Sequence, residues 1–440
     1  MPLPPRRPVA VFTAMATLLV ASLSGCSTDS RGGDEGGKPT GSGGSGGATD
    51  TKPPTPKPDG GLGDVLVDGR RITGSKPTGI AKVPFARTYT EGALYSAVTG
   101  YRAMMFGTAG LEGLAREKID AGTDLATTID PAVQRAAFDA LRGQRGGAIA
   151  LDAETGDIVA LVSAPSFDPG SFSGNTFAEE KVWKRLNEDD DKPMLNRPLR
   201  NSENPGSAAH VVVAAAALEK GLLASVDTPT RSPAVHVVPG SATEFSGDPG
   251  RCTDAALRAA LRYSCANVFA RIAADLGAEA LASTAAAFGF RQETLLTPVR
   301  AGESAWPDRP GNATQLALTA NGLFEVKATA VQMAMLMAAI GNGGNRPHPQ
   351  LLVDPVEPES AGRAVSRRTA DQLRSTLGAS VTTWVPSASV TWALSYTRTA
   401  AGRPLAVAVC FSSAADATEQ GARIAQRIAA ADQEQPLATH

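Results

Sequence analysis

Residues Asn196 to Leu222 read NRPLRNSENPGSAAHVVVAAAALEKGL, and the fold of the 440-residue chain is read outward from this stretch. Pro205 and Gly206 close a turn, Ser207 takes the place where an N-cap is preferred, and an Ala/Val run of high helical propensity follows to Leu218. A serine is thereby presented at the mouth of a helix. The amide dipoles of a helix N-terminus favour negative charge developing nearby, which is what serine acyl transfer requires. Most serines so placed do no more than cap, so the rest of the chain has to decide between the two roles.

Composition narrows the field. Hydrophobic residues make up 42% and charged residues 20%, a globular balance, and a formal net charge of -2 gives no electrostatic reason to expect nucleic acid. The N-terminus stands apart. Arg6 and Arg7 precede an apolar run from Val9 to Leu23, the form of an export signal and too short for a comfortable membrane span. Leu23-Ser24-Gly25-Cys26 resembles a bacterial lipobox, which implies a diacylated Cys26 as the mature N-terminus. Residues 27–61, rich in Gly, Ser, Thr, Pro and Asp, cannot bury a core and read as a flexible spacer. The expectation is an extracytoplasmic protein anchored to the cell membrane as a lipoprotein.

Around Ser207 the chain resembles the transpeptidase domain of penicillin-binding proteins, especially the actinobacterial class B type. That family reads YPPGSTFK here, with the serine as nucleophile and the lysine one turn later taking its proton. This chain reads NPGSAAH, with Ser207 kept and His210 in place of the lysine. The resemblance implies an α+β fold, a serine transpeptidase or β-lactamase-like domain. It has a five-stranded antiparallel sheet flanked by helices and follows a small N-terminal pedestal domain. Further landmarks agree: GDVLVDG from Gly63, with Leu62 where the family has Arg, and TYTEGALYSAVTGYRAMMFGTAGLE from Thr88 to Glu112. GGAIALDAETGDIVALVSAPSFDP from Gly146 gives the first two strands, and KATAVQMAMLMAAIGNGG from Lys327 a core helix. The expected division is 1–26 signal with lipobox, 27–61 spacer, 62–124 pedestal and 125–434 transpeptidase-like domain. Strands are expected near Ser389–Thr397 and Arg403–Phe411, with a helix over Ala414–Ala431.

Four cysteines accompany the export signal, and export permits disulfides. With Cys26 assigned to lipid and Cys410 read as a buried thiol in PLAVAVCF, the resemblance implies a bridge between Cys252 and Cys265. No metal or cofactor is expected, because His210, His236, His348 and His440 are scattered and neither a Walker loop nor HExxH occurs.

Members of the family supply a nucleophile, a base, a relaying hydroxyl and a cation through SxxK, SxN and KTG, and all three are altered here. Ser207 and His210 are three residues apart and so face the same side of a helix. Histidine begins near pKa 6.5 and needs no help to act as a base, but its short, stiff arm is ill suited to reach the serine oxygen. The second motif overlies Ser264-Cys265-Ala266-Asn267-Val268-Phe269-Ala270, which places Ala266 where the family has Asn. Asn267 comes one residue later, a rotation of about 100° on a helix. No KTG is present, since Lys327 is the last lysine. If Val390-Thr391-Trp392-Ala393 is the landmark that follows KTG, the stretch before it is too short for a full strand and its loop, and a shortened cleft edge is expected. The expected function is that of a catalytically impaired penicillin-binding-protein homologue of cell-wall biogenesis. Its expected partners are a peptidoglycan stem peptide or β-lactam, the membrane through its lipid, and wall-synthesis proteins. The rival is an active D,D-transpeptidase or carboxypeptidase acylated on Ser207, with Arg398 standing in for the KTG lysine.

Overall fold

The structure, a computed structural model, describes residues 59–292, 302, 304–353, 362–377, 380–398 and 402–431. Cys26, the signal segment and nearly all of the spacer lie outside them, as does His440. Among the described residues no helix is long and apolar enough to cross a membrane.

Apolar runs bounded by turn residues build the central sheet. Its order is Ser380–Val385, Val390–Arg398, Pro404–Ser412, Gly146–Asp152, Ile158–Ala164, and every neighbouring pair is antiparallel. The inner strands are buried on both faces, so they read as nearly unbroken Ala/Val/Leu rather than alternating. One face is covered by Pro131–Ala140 and Thr418–Ala431 through Val133, Ala137, Ile424 and Ile428. The first of these helices starts where its sequence says: Asp130 accepts from the N–H groups of Ala132 and Val133, and Pro131 fills the first turn. The other face holds Ala330–Gly341, buried along its whole length and accordingly apolar all round. Met333, Met335 and Met337 each contribute about 1.5–3 kcal/mol by leaving water. That helix ends at Gly341, pressed against the Tyr396 ring so closely that a Cβ would overlap it.

In the pedestal, Val65–Val67 pairs antiparallel with Arg70–Arg71 and parallel with Leu125–Thr127. The expected boundary after residue 124 therefore falls beside a strand that completes the pedestal sheet. Val65, Ile119, Ile129 and Ile149 belong to one continuous buried cluster, so pedestal and transpeptidase-like region share a core.

One local expectation needs correction. The cleft-edge strand is not shortened: Ser380–Val385 pairs along its whole length with the neighbouring strand, from Ser380 opposite Ser395 to Val385 opposite Val390. Six residues suffice because Pro386–Ala388 and Ser389 turn the chain in four, and only residues 378–379 separate the strand from the helix Arg367–Leu377. Residues 227–250 contain a hairpin of Val235–Val237 and Glu244–Ser246. From Asp254 the chain forms two helices, Leu257–Arg262 and Ala266–Ala287, parted at Ser264, and the second kinks at Gly277, whose φ is +79°.

Candidate active site

Ser207 is delivered by a close approach of backbone to backbone. Gly206 lies at φ +55°, the left-handed region that glycine enters without a Cβ penalty, and its N–H donates to Gly322 O at 3.1 Å. A Cβ on Gly322 would collide with the Gly206 carbonyl oxygen, and one on Gly206 would lie 2.6 Å from Val385 Cγ2. The chain then makes a 3₁₀ turn, Gly206–Ala209, before the α-helix His210–Glu219. Ser207 is therefore inside the first turn and not its N-cap, and the turn has no side-chain cap. Freed from capping, the half-buried hydroxyl faces Ser264, whose Oγ donates to Ser207 Oγ at 3.2 Å.

Ser264 reaches that place through a left-handed turn, φ +52°, between the two helices. The turn is pinned by a disulfide from Cys265 to Cys252, with Cα atoms 5.4 Å apart. Cys410 is a buried free thiol whose pKa burial pushes well up, so it is an inert packing residue. Ala266 opens the helix at the position the family fills with Asn. Asn267 points away from the serines and donates to Pro233 O at 2.7 Å and Cys252 O at 2.9 Å, holding the disulfide segment. The second motif thus keeps its hydroxyl and lacks its amide.

His210 is not a partner of Ser207. Only 2% exposed, its ring stacks on Phe269 at 3.8 Å between centroids, and its Nε2 meets Asn321 Oδ1 at 3.0 Å. Asn321 donates from its amide nitrogen to Ala317 O, 2.9 Å, so its oxygen is the atom that faces the ring and Nε2 carries the proton. Nδ1 is buried and bonds nothing among the described residues. Burial lowers the imidazole pKa to about 4, against a smaller upward pull from Asn321. At neutral pH it is a neutral packing group. Asn321 is the residue that sequence reasoning missed. Asn321-Gly322 is legible as a helix stop after Ala313–Ala320, but nothing local says that its side chain captures a histidine 111 positions earlier.

Among the described residues no cation takes the missing lysine's place at Ser207. Thr383 and Val385 are the buried residues of the edge strand, and both lie beside Gly206. Among the described residues no lysine or arginine nitrogen hydrogen-bonds Ser207. Lys327 comes to the same neighbourhood, but its Nζ donates to Asn204 Oδ1 at 3.1 Å. Asn204 also anchors its backbone oxygen on Trp392 Nε1, 3.0 Å, so this group braces the chain leading into the serine turn. Arg398 is ruled out as a stand-in. It pairs with Glu154 at 3.3 Å, six residues along its strand from Trp392, which sits opposite Thr383, a separation of about 20 Å. No group of three metal-ligating side chains occurs among the described residues.

What remains is a hydroxyl pair on a rigid turn. A serine hydroxyl is itself protonated at neutral pH and is no base for its neighbour, and a serine without a base is weakly nucleophilic.

Comparison with known proteins agrees with this fold. The penicillin binding protein transpeptidase domain matches residues 146–394, and the penicillin binding protein A dimerisation domain matches 62–145. The peptidoglycan D,D-transpeptidase PbpA of Mycobacterium tuberculosis is 30% identical over 321 residues, 66% of this chain and 64% of that protein. Its counterpart in Mycolicibacterium smegmatis is 29% identical over 351 residues, 71% of each chain. The chain thus spans just under two thirds of the first of these relatives. The crystal structure of PBPA from Mycobacterium tuberculosis superposes with a TM-score of 0.76 at 26% identity, covering 84% of this chain and 98% of that one. The imipenem acyl-enzyme complex of the same protein gives 0.78 at 26% identity, with 85% and 99% covered. The chain belongs to the penicillin-binding protein transpeptidase family, in its actinobacterial class B branch.

Proposed function

We propose that this protein is a catalytically impaired penicillin-binding protein. In this reading it is an exported lipoprotein, anchored outside the cytoplasm through Cys26 and a spacer over 27–61, that binds wall peptides without acylating. The observation that carries the reading is the partnership around Ser207: among the described residues its oxygen meets only the Ser264 hydroxyl, while His210 is buried, neutral and bonded to Asn321. Removing a general base costs roughly 10²–10⁴ in rate, and the cation that the cleft edge lacks adds further orders of magnitude. The pedestal over 62–124 and the transpeptidase-like region over 125–434 act as a scaffold, with peptidoglycan stem peptide and wall-synthesis proteins as partners.

The second reading is a slow D,D-transpeptidase or carboxypeptidase. It draws on the preserved contact between Ser207 and Ser264 and on the activity named for its relatives. Fluorescent penicillin followed by denaturing gel separates the two, with Ser207→Ala as control. No band above that control is expected. A band that disappears with Ser207→Ala makes the protein an enzyme.

A further inference from the structure

The pedestal holds a cavity of about 190 Å³ whose lining, among the described residues, carries three arginines and no carboxylate. Arg87, Arg102 and Arg116 face it together with the hydroxyl-bearing Thr108 and Ser173. At about 30 Å³ per water, that volume holds several waters or one polyatomic ion.

The three arginines are not equally engaged. Arg87 is fully occupied by Glu112, Asp64 and the carbonyl oxygen of Gly63. Arg102 and Arg116 share a single carboxylate, Asp120, one oxygen of which accepts from Arg102 Nη2 and the other from Arg116 Nε at 3.4 Å. Glu112 also lies within electrostatic reach of Arg102, but its own ion pair is with Arg87. Two guanidinium groups on one carboxylate leave a unit of positive charge over. That surplus is sharpest at Arg102, whose side chain is only 17% exposed and whose Nη1 is buried and bonds nothing among the described residues. A charged donor taken out of water without an acceptor loses its hydration uncompensated, and an anion in the cavity restores the missing partner.

The donors are held in place by three separate elements. Tyr101–Ala103 pairs antiparallel with Gly107–Ala109, and Thr108 lies directly opposite Arg102, so the two side chains share a face. The Arg102 backbone N–H donates to Tyr89 Oη at 2.7 Å, which ties this strand pair to the rest of the pedestal. Arg116 opens the short helix Arg116–Asp120, and the buried Ser173 follows the turn Pro169–Phe172. A tetrahedral oxyanion presents oxygens to several elements at once, and guanidinium groups bind phosphate oxygens through strong, charge-assisted hydrogen bonds.

We propose that Arg102 and Arg116, with Thr108 and Ser173, form an oxyanion site in the pedestal that takes a phosphate group. Neither Ser207 nor Ser264 lines this cavity, and the proposal does not rest on how the serine cleft is read.

The test is titration calorimetry of the full chain with inorganic phosphate and with dimethyl phosphate at constant ionic strength. The parent is compared with Arg102→Gln, with Arg116→Gln and with Arg135→Gln, which removes a surface arginine paired with Glu91 outside the cavity. The parent is expected to bind at least one probe, and the tighter of the two tells a free phosphate group from a phosphodiester. Arg102→Gln is expected to abolish that binding, Arg116→Gln to weaken it roughly tenfold, and Arg135→Gln to leave it unchanged. Arg116 is largely exposed, so its variant keeps the fold and decides the matter if Arg102→Gln does not fold. A parent that binds neither probe overturns the site. Parental affinity in either cavity variant, or an equal loss in Arg135→Gln, overturns it as well.

Discussion

The pedestal and the cleft treat positive charge in opposite ways. In the pedestal Arg87, 0% exposed, sits between Glu112 at 2.6 Å and Asp64 at 3.3 Å and donates to Gly63 O at 2.7 Å. Burial raises the Glu112 pKa, and Arg87 pulls it back down. In the cleft Ser207 bonds the Ser264 hydroxyl and, among the described residues, no lysine or arginine nitrogen. Removing Arg87 from the first place strands the buried carboxylate of Glu112, while Asp64 keeps Arg71. Removing a cation from the second strands nothing, because a serine is neutral. Stability alone therefore calls for the pedestal cation and makes no such demand on the cleft.

The largest effect expected from this contrast is at Arg87. Arg87→Met leaves Glu112 buried without its partner, while Asp64 keeps Arg71 at 3.3 Å, and is expected to cost about 3–5 kcal/mol in denaturant unfolding. A loss under 1 kcal/mol would mean that the pedestal charges are no more essential than those of the cleft. Next comes the crosslink beside the cleft. Replacing Cys252 and Cys265 together by Ala frees a loop with a sequence separation of 13 and is expected to cost about 3 kcal/mol in thermal unfolding. An unchanged Tm would show that the Ser264 turn is held by packing alone.

The smallest effect is a pH dependence. The folded pKa of His210, about 4, is below the unfolded value of 6.5, so the unfolded chain binds the proton more readily. Its contribution is complete above pH 6.5 and is lost as pH falls toward 4. The parent is expected to be about 1 kcal/mol less stable at pH 5.5 than at pH 7.5 from this group. His210→Gln flattens that part of the profile, while an identical profile in the variant would show that the imidazole is not held neutral by the fold.

Much of the fold was legible because it is written in order. Strand pairs, the core helix from Lys327 and the C-terminal helix begin and end within a few residues of expectation. Ala266 in place of Asn was equally legible, since a one-residue offset on a helix turns a side chain away, and Asn267 does serve the disulfide segment. What was not legible depends on distant partners. Spacing puts His210 on the Ser207 side of the helix, but Asn321 and Phe269 decide where its ring rests. Counting residues before Trp392 suggested a truncated edge, yet a four-residue turn leaves enough chain for six paired residues. The loss lies in the side chains of that strand, not in its length.

The central claim is that Ser207 is positioned like a nucleophile and is not activated as one. Intact-mass spectrometry after prolonged incubation with a β-lactam, beside Ser207→Ala, measures this most directly. Unmodified mass in both proteins is the expected result. Stoichiometric addition of one β-lactam to the parent alone would contradict it.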